Sequence, residues 1–300
     1  MADTRKHYAA AVIAFIIWGF FSIPLRALKA YSSGDILYFR ILFSALVLLI
    51  IIFGFRRKAI QRDVATLNAM SKAGRRKVIL LTLAGGLLLT VNWLTFIYIV
   101  NNINIKTASF SYLICPVMTA VLGYVLIKEK LTVLQWIAVA LCTLSCVLMG
   151  LHSTLELGYS FLTALTYALY LISQRKNQGF DRMVVLGIQV LFSFLILSTV
   201  ATYLVDVIPT AVDFYVIIVT IAIAFTVLPL FLNLFALNRI NSATIGILMY
   251  INPLLNFTLA FIVFHESITL LQVAGYSIIL LALVVFNVEN FKKMQMAFKA

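Results

Sequence analysis

The stretch NNINIKTASFSYLICPVMTAVLGYVLIKEKLTVLQ, residues 101–135, returns as NRINSATIGILMYINPLLNFTLAFIVFHESITLLQ, residues 238–272. Laid together without a gap at an offset of 137 residues, Asn101 falls on Asn238, Ile103 on Ile240, Asn104 on Asn241, Thr107 on Thr244 and Pro116 on Pro253. Further on, Glu129 meets Glu266, Thr132 meets Thr269 and Gln135 meets Gln272. Chance alignment of apolar runs would match leucines but not this polar punctuation. A polar turn, an apolar run with one proline, an acidic turn and a second apolar run, given twice, is the sequence pattern of an internally duplicated membrane transporter.

Composition puts the whole chain in the bilayer. Hydrophobic residues make up 63% of the 300 and charged residues 11%, against roughly 45–50% and 25% in soluble domains. The net charge of +13 would point to nucleic acid in a soluble protein. Here Lys and Arg lie between apolar spans and act as topology signals, so nucleic-acid binding is not expected. Cys115, Cys142 and Cys146 all fall inside apolar runs and are expected to be packing residues rather than a disulfide framework.

Runs long enough to cross hydrocarbon as helices are expected at Tyr8–Leu28, Ile36–Phe55, Val78–Val100, Thr107–Ile127, Thr132–Leu151, Gly158–Ile172, Met183–Val205, Phe214–Leu237, Ser242–Phe264 and Ile268–Val288. With the N-terminus inside, 19 basic residues fall on the inner side, among them the Arg56–Lys77 cluster, and only Arg26, Lys29, Arg40 and Lys106 fall on the outer side. Loops retained in the cytoplasm hold the excess of Lys and Arg, so both termini are expected there. Five spans per copy is an odd number, which turns the second copy over. A second alignment at an offset of 149 residues carries the duplication back to the first spans, with Trp18 on Tyr167, Phe21 on Tyr170, Arg26 on Arg175 and Arg40 on Gln189. The expected fold is an all-α polytopic membrane protein of ten transmembrane helices, built as two inverted five-helix repeats at 1–151 and 152–300.

In order along the chain, Trp18-Gly19, Arg40, Asn92-Trp93, Asn101-Asn102, Tyr112, Pro116, Glu129 and Glu266 resemble the EamA branch of the drug/metabolite transporter superfamily, most of all the RarD (chloramphenicol-sensitive) family. The second copy departs from that pattern, with Asn252-Pro253 and His265-Glu266-Ser267 where Gly-Pro and Gly-Glu-Lys are usual. The resemblance implies a permease of the cytoplasmic membrane, commonly an exporter of small metabolites.

No enzyme constellation is visible: there is no Gly-x-Ser-x-Gly, His-Glu-x-x-His or phosphate loop, and His7, His152 and His265 are far apart. Neither a cofactor nor a metal is expected, and the expected partners are a small-molecule substrate and the lipid bilayer. The chemistry left is recognition of a solute near the midplane. A membrane-embedded enzyme or lipid-handling protein is the alternative, and it would require a titratable cluster on facing spans. Arg40 lies about five residues into its span, where a charge is costly and faces either a cavity or, by snorkelling, the headgroups or Asp35.

Trp18, Asn92, Trp93, Tyr98, Tyr112, Tyr170 and Tyr250 combine apolar faces with polar tips suited to a small-molecule pocket or to helix packing. Tyr98 and Tyr170 read as interface anchors. Gln189 is the neutral mate of Arg40. Cys115 and Thr119 map onto Asn252 and Asn256, each pair on one helical face beside a proline, placed to satisfy the carbonyl that proline frees one turn earlier, or a substrate. Pro116 and Pro253 are expected as kinks in gating helices. Glu129 and Glu266, with Thr132 and Thr269 three residues on, read as ties of their helical turns, with proton coupling as the second reading. Gly85-Gly86 and Gly123 are expected to permit close helix contact.

Overall fold

The computed structural model describes residues 2–299 apart from 129, 178, 206–207 and 238–247. Within them the chain is helical and without strands. Its elements are α1 (Ala2–Gly19), α2 (Ser22–Ala27), α3 (Ser33–Phe55), α4 (Arg57–Ala69), α5 (Lys72–Tyr98), α6 (Ile105–Ile127), α7 (Val133–His152), α8 (Thr154–Lys176) and α9 (Arg182–Thr199). After them come α10 (Ala201–Leu204), α11 (Val212–Thr220), α12 (Leu228–Leu237), α13 (Ile251–Ile262) and α14 (Leu270–Lys299), with π-helical segments at Ile99–Ile103 and Ile221–Val227. Helices are the necessary form, because hydrocarbon offers no partner to an unpaired backbone group.

Eight helical stretches are long and apolar enough to cross a membrane, and two shorter apolar ones cover Val133–Met149 and Ile251–Ile262. The last two stand where the fifth and ninth spans are expected, and the predicted start of the ninth, Ser242, lies outside the described residues. Large apolar side chains such as Phe53, Phe55, Leu126 and Leu270 are left on the outer surface, as a lipid-facing surface requires.

Helix ends are built from short polar side chains that take orphan amides. Ser32 Oγ accepts from Asp35 N at 3.0 Å while Asp35 Oδ2 accepts from Ser32 N at 3.2 Å. The threonines of the acidic turns do the same job twice. Thr132 and Gln135 close a reciprocal cap on α7, at 2.9 and 3.4 Å. Thr269 and Gln272 close the equivalent cap before α14, at 3.1 and 3.3 Å.

Two expectations about the connections need correction. The basic stretch Arg56–Lys77 is not a loop. Most of it forms α4, and Lys72–Lys77 is already the start of α5. Asp63 of α4 is buried because its Oδ2 accepts the backbone amide of Asp181 at 2.8 Å, an interaction that sequence spacing does not reveal. The first span is also interrupted, with turn residues Phe20 and Phe21 between α1 and α2.

Packing brings distant helices together. α1 lies against α12 and α13, α8 lies against α5 and α6, and α3 packs on α9, α6 on α13 and α7 on α14. Glycines permit the closest of these approaches. A Cβ on Gly19 would meet Leu255 of α13 at 2.6 Å, and one on Gly86 would meet the backbone oxygen of Gln189 at 2.9 Å. The expected role of Gly85-Gly86 is thus seen in the α5–α9 contact.

Candidate functional site

A cavity forms where α1, α3, α5, α6, α8 and the second π segment meet. Leu89, Asn92, Trp93 and Phe96 reach it from α5, a spacing of three, four and seven that sets them on one helical face. Phe15, Trp18 and Phe21 enter from the first span, Tyr112 from α6, and Tyr167 and Tyr170 from α8. The centre of a water-sized sphere has about 60 Å³ in which to move, which is room for a few waters by that measure.

Among the described residues Arg40 is the one charged side chain lining the cavity, and it is 2% exposed. Its Nε donates to Thr226 Oγ1 at 3.0 Å. The guanidinium carbon lies 4.7 Å from the ring centres of both Phe21 and Trp93, within the range of cation–π attraction. Nη1 finds no acceptor among the described residues. The guanidinium therefore does not snorkel to the headgroups; it is held at a cavity wall with Nη1 uncommitted among the described residues.

The π segment Ile221–Val227 makes this possible. Thr226 Oγ1 donates to Ile221 O, five residues back, at 3.1 Å, so its lone pairs remain to accept from Arg40. Trp18 Nε1 donates to Phe225 O of the same segment at 3.1 Å. A π-bulge inside an α-helix is a frequent mark of a functional site. Nothing in the local sequence announces this one, and Phe225 and Thr226 were not anticipated.

The other anticipated residues divide. Asn92 lines the cavity, but its amide is already engaged: Nδ2 donates to Thr163 O at 2.8 Å and Oδ1 accepts from Tyr112 OH at 3.2 Å. It braces α5, α6 and α8 against one another. Asn252 lines the cavity, and Asn256 sits behind it. Asn256 Nδ2 donates to Asn252 Oδ1 at 2.6 Å, and Ser22 Oγ donates to Asn256 Oδ1.

Tyr170, expected as an interface anchor, instead lines the cavity, because α8 turns that face inward. Gln189 and Tyr250 do not line it. Gln189 is fully buried against the Gly85-Gly86 step. Tyr250 packs in a separate apolar cluster with Phe110, Tyr276 and Leu283.

The polar pairs beside the prolines serve carbonyls, though not the ones expected. Thr119 Oγ1 donates to Cys115 O at 2.8 Å and Asn256 Nδ2 to Asn252 O at 3.3 Å. Each reaches the carbonyl four residues back, the ordinary reach of such a side chain on a helix, rather than the one a turn before the proline. Pro116 lies inside α6, which runs on without a break in assignment, and Pro253 stands in the first turn of α13 after turn residues 249–250.

Glu266 ties a helix, but a different one from that expected. It accepts Ile105 N at 2.8 Å and Lys106 N at 3.2 Å, capping α6, and pairs with Arg26 Nη2 at 3.1 Å. Lys106 Nζ in turn donates to Ser267 O. At the opposite end Arg56 pairs with Asp181 at 3.5 Å. Glu129 lies outside the described residues.

The EamA-like transporter family model matches residues 5–151 and again 154–288. This chain belongs to the EamA-like transporter family. An uncharacterized transporter of Vibrio cholerae is 30% identical over 302 residues, covering 97% of this chain and 94% of that one. The uncharacterized transporter YojE of Bacillus subtilis is 27% identical over 97% of this chain and 96% of its own. Protein RarD of Escherichia coli is 24% identical over 96% and 95% respectively. A solved crystal structure with 12% identity superposes with a TM-score of 0.62 over 94% of this chain and 96% of that one, a likeness of fold alone. The EamA-like protein is thus a multi-pass membrane transporter.

Proposed function

We propose that the protein is a secondary permease that carries a small amphipathic, anionic metabolite across the cytoplasmic membrane by alternating access, as an exporter, with Arg40 binding the anionic group. The observation that carries this reading is Arg40 itself, buried in the cavity wall with Nη1 lacking an acceptor among the described residues. A buried cation with an uncommitted donor is expensive unless an anion visits it. Guanidinium suits a carboxylate through parallel hydrogen bonds.

Ten spans in two inverted repeats, divided near residue 151, complete the proposal. The two successive family matches support it, and so does the cavity. Trp18 and Tyr167, and likewise Phe21 and Tyr170, are mates at the first-span offset, and all four line it. Leu89 and Thr226, Trp93 and Leu230, and Tyr112 and Met249 are mates at the 137-residue offset, and all six line it. The helix contacts exchange in the same way: α1 on α12 and α13 answers α8 on α5 and α6. A site between repeats, with ion pairs at both ends of the molecule, is the arrangement that rocking halves require.

The test is a melting-point screen of purified protein against anionic metabolites, since a solute that binds only the folded form raises the midpoint. Each hit is followed by uptake into vesicles carrying wild type or Arg40→Gln. Saturable uptake that is lost in Arg40→Gln is expected. Undiminished uptake in that variant would refute the role given to Arg40.

A further inference from the structure

We infer that the substrate is a flat, single-ring aromatic monocarboxylate without an ammonium group, a narrowing that rests on the reading of this cavity as the substrate site. Of the 16 described residues lining the cavity, nine are Phe, Tyr or Trp and one is charged. A ring slid into such a box meets quadrupoles arranged for offset or edge-to-face contact, which an aliphatic body of equal size cannot use. Tyr112 already meets Phe96 and Tyr167 edge-on, with centroids 5.4 and 5.7 Å away. The box thus offers ring faces as well as edges.

The charge inventory decides the rest. Arg40 brings one positive charge, enough to neutralise one carboxylate, and its Nη1 has no acceptor among the described residues. None of the described carboxylates lines the cavity. An ammonium group on the substrate would therefore enter without a counter-charge from any described lining residue. Each amide oxygen at the cavity already accepts one hydrogen bond, Asn92 Oδ1 from Tyr112 OH and Asn252 Oδ1 from Asn256 Nδ2, and neither carries the formal charge an ammonium needs. A dianion such as a phosphate monoester would bring a second charge with no second cation among the described lining residues. The small free volume, about 60 Å³ for the centre of a water-sized sphere, is room for about four to six waters and so for a body the size of one ring with a short acid chain.

Binding of four matched probes to the full-length protein in nanodiscs of zwitterionic lipid tests this. 3-Phenylpropionate is the reference, L-phenylalanine adds the ammonium, 3-cyclohexylpropionate removes the π-face and 2-phenylethylamine removes the carboxylate. 3-Phenylpropionate should bind saturably, about three- to tenfold tighter than the cyclohexyl acid. It should also bind at least about tenfold tighter than phenylalanine, whose ammonium would be buried unpaired. Phenylethylamine should not bind. The wild-type series alone decides the matter, whatever the fate of any variant.

Phe225→Leu, which leaves the Trp18 bond to the Phe225 carbonyl in place, should shrink the preference for the ring. Phenylalanine binding as tightly as 3-phenylpropionate, cyclohexyl and phenyl acids binding alike, or no saturable binding of 3-phenylpropionate would each overturn the inference. If aliphatic acids bind as well as aromatic ones but are lost in Arg40→Gln, only the substrate class fails. If 3-phenylpropionate binding survives in Arg40→Gln, the role proposed for Arg40 fails with it.

Discussion

Glu266 and Arg26 lie 240 positions apart in sequence and 3.1 Å apart in space, and the same carboxylate caps the start of α6 through Ile105 N and Lys106 N. One side chain thus joins the first span, the fourth and the turn after the ninth. With side-chain exposures of 19% for Arg26 and 11% for Glu266, the pair is only partly screened. Glu266→Ala should cost about 1–3 kcal/mol, because it strands the partner cation and two amides. Glu266→Gln, which keeps an acceptor, should cost less. Thermal unfolding in nanodiscs reads the difference, and equal, negligible losses would show that the cap carries no weight.

Thr226 positions Arg40 and also satisfies the π segment. Thr226→Val removes the hydroxyl at nearly constant shape and should lower affinity for the anion about tenfold, the loss of one hydrogen bond to a charged group. Thr226→Ser should restore it. A dissociation constant unchanged in Thr226→Val would show that the two rings alone hold the guanidinium.

Arg40→Lys keeps the charge but loses the planar fork. Binding of a carboxylate substrate should weaken while protein remains folded in the membrane. Binding as tight in Arg40→Lys as in wild type would mean that a point charge suffices.

Two glycines on apolar helices should respond in opposite ways to the same substitution. Gly86→Ala would drive a methyl to 2.9 Å from the backbone oxygen of Gln189, an overpacking that costs about 1–3 kcal/mol. Gly54→Ala meets nothing within 4 Å and should be neutral or stabilising by about 0.5–1 kcal/mol. Similar midpoints for the two variants would contradict the close α5–α9 contact.

The proposed orientation, drawn from the basic asymmetry, would put α4 on the cytoplasmic side. Ala65 is exposed on that helix, whereas Asp63 is buried. In a variant with Cys115, Cys142 and Cys146 replaced, Ala65→Cys should resist an impermeant thiol reagent in intact cells and react once the membrane is opened. Labelling from outside would reverse the orientation.

Much of the architecture was legible because the bilayer narrows the choices. Apolar runs of membrane length must become helices, and their ends are marked by residues such as Thr132 and Gln135 that cap within their own turn. Local reach also explains Thr119 and Asn256, each bonding the carbonyl four residues back. Where local patterning failed, a distant partner had intervened. Helix α4 was hidden in a basic stretch whose one buried acid is held by Asp181. Tyr170 was misread because the inward side of α8 is set by its neighbours.

The sequence by itself determined that this is a helical membrane protein, where its apolar spans run, that a module recurs within it, and that Arg40 lies within a span. Those properties are local or periodic, and the cost of exposing polar backbone to lipid translates them into structure. Tertiary structure alone decided which of the polar and aromatic side chains meet. It placed Thr226 against Arg40 across 186 residues of chain, inserted the extra residue of a π turn to make that contact, and sent Gln189 to a glycine step instead of the cavity. Side chains on an apolar helix are nearly interchangeable to the lipid, so only packing against other helices selects the face that turns inward.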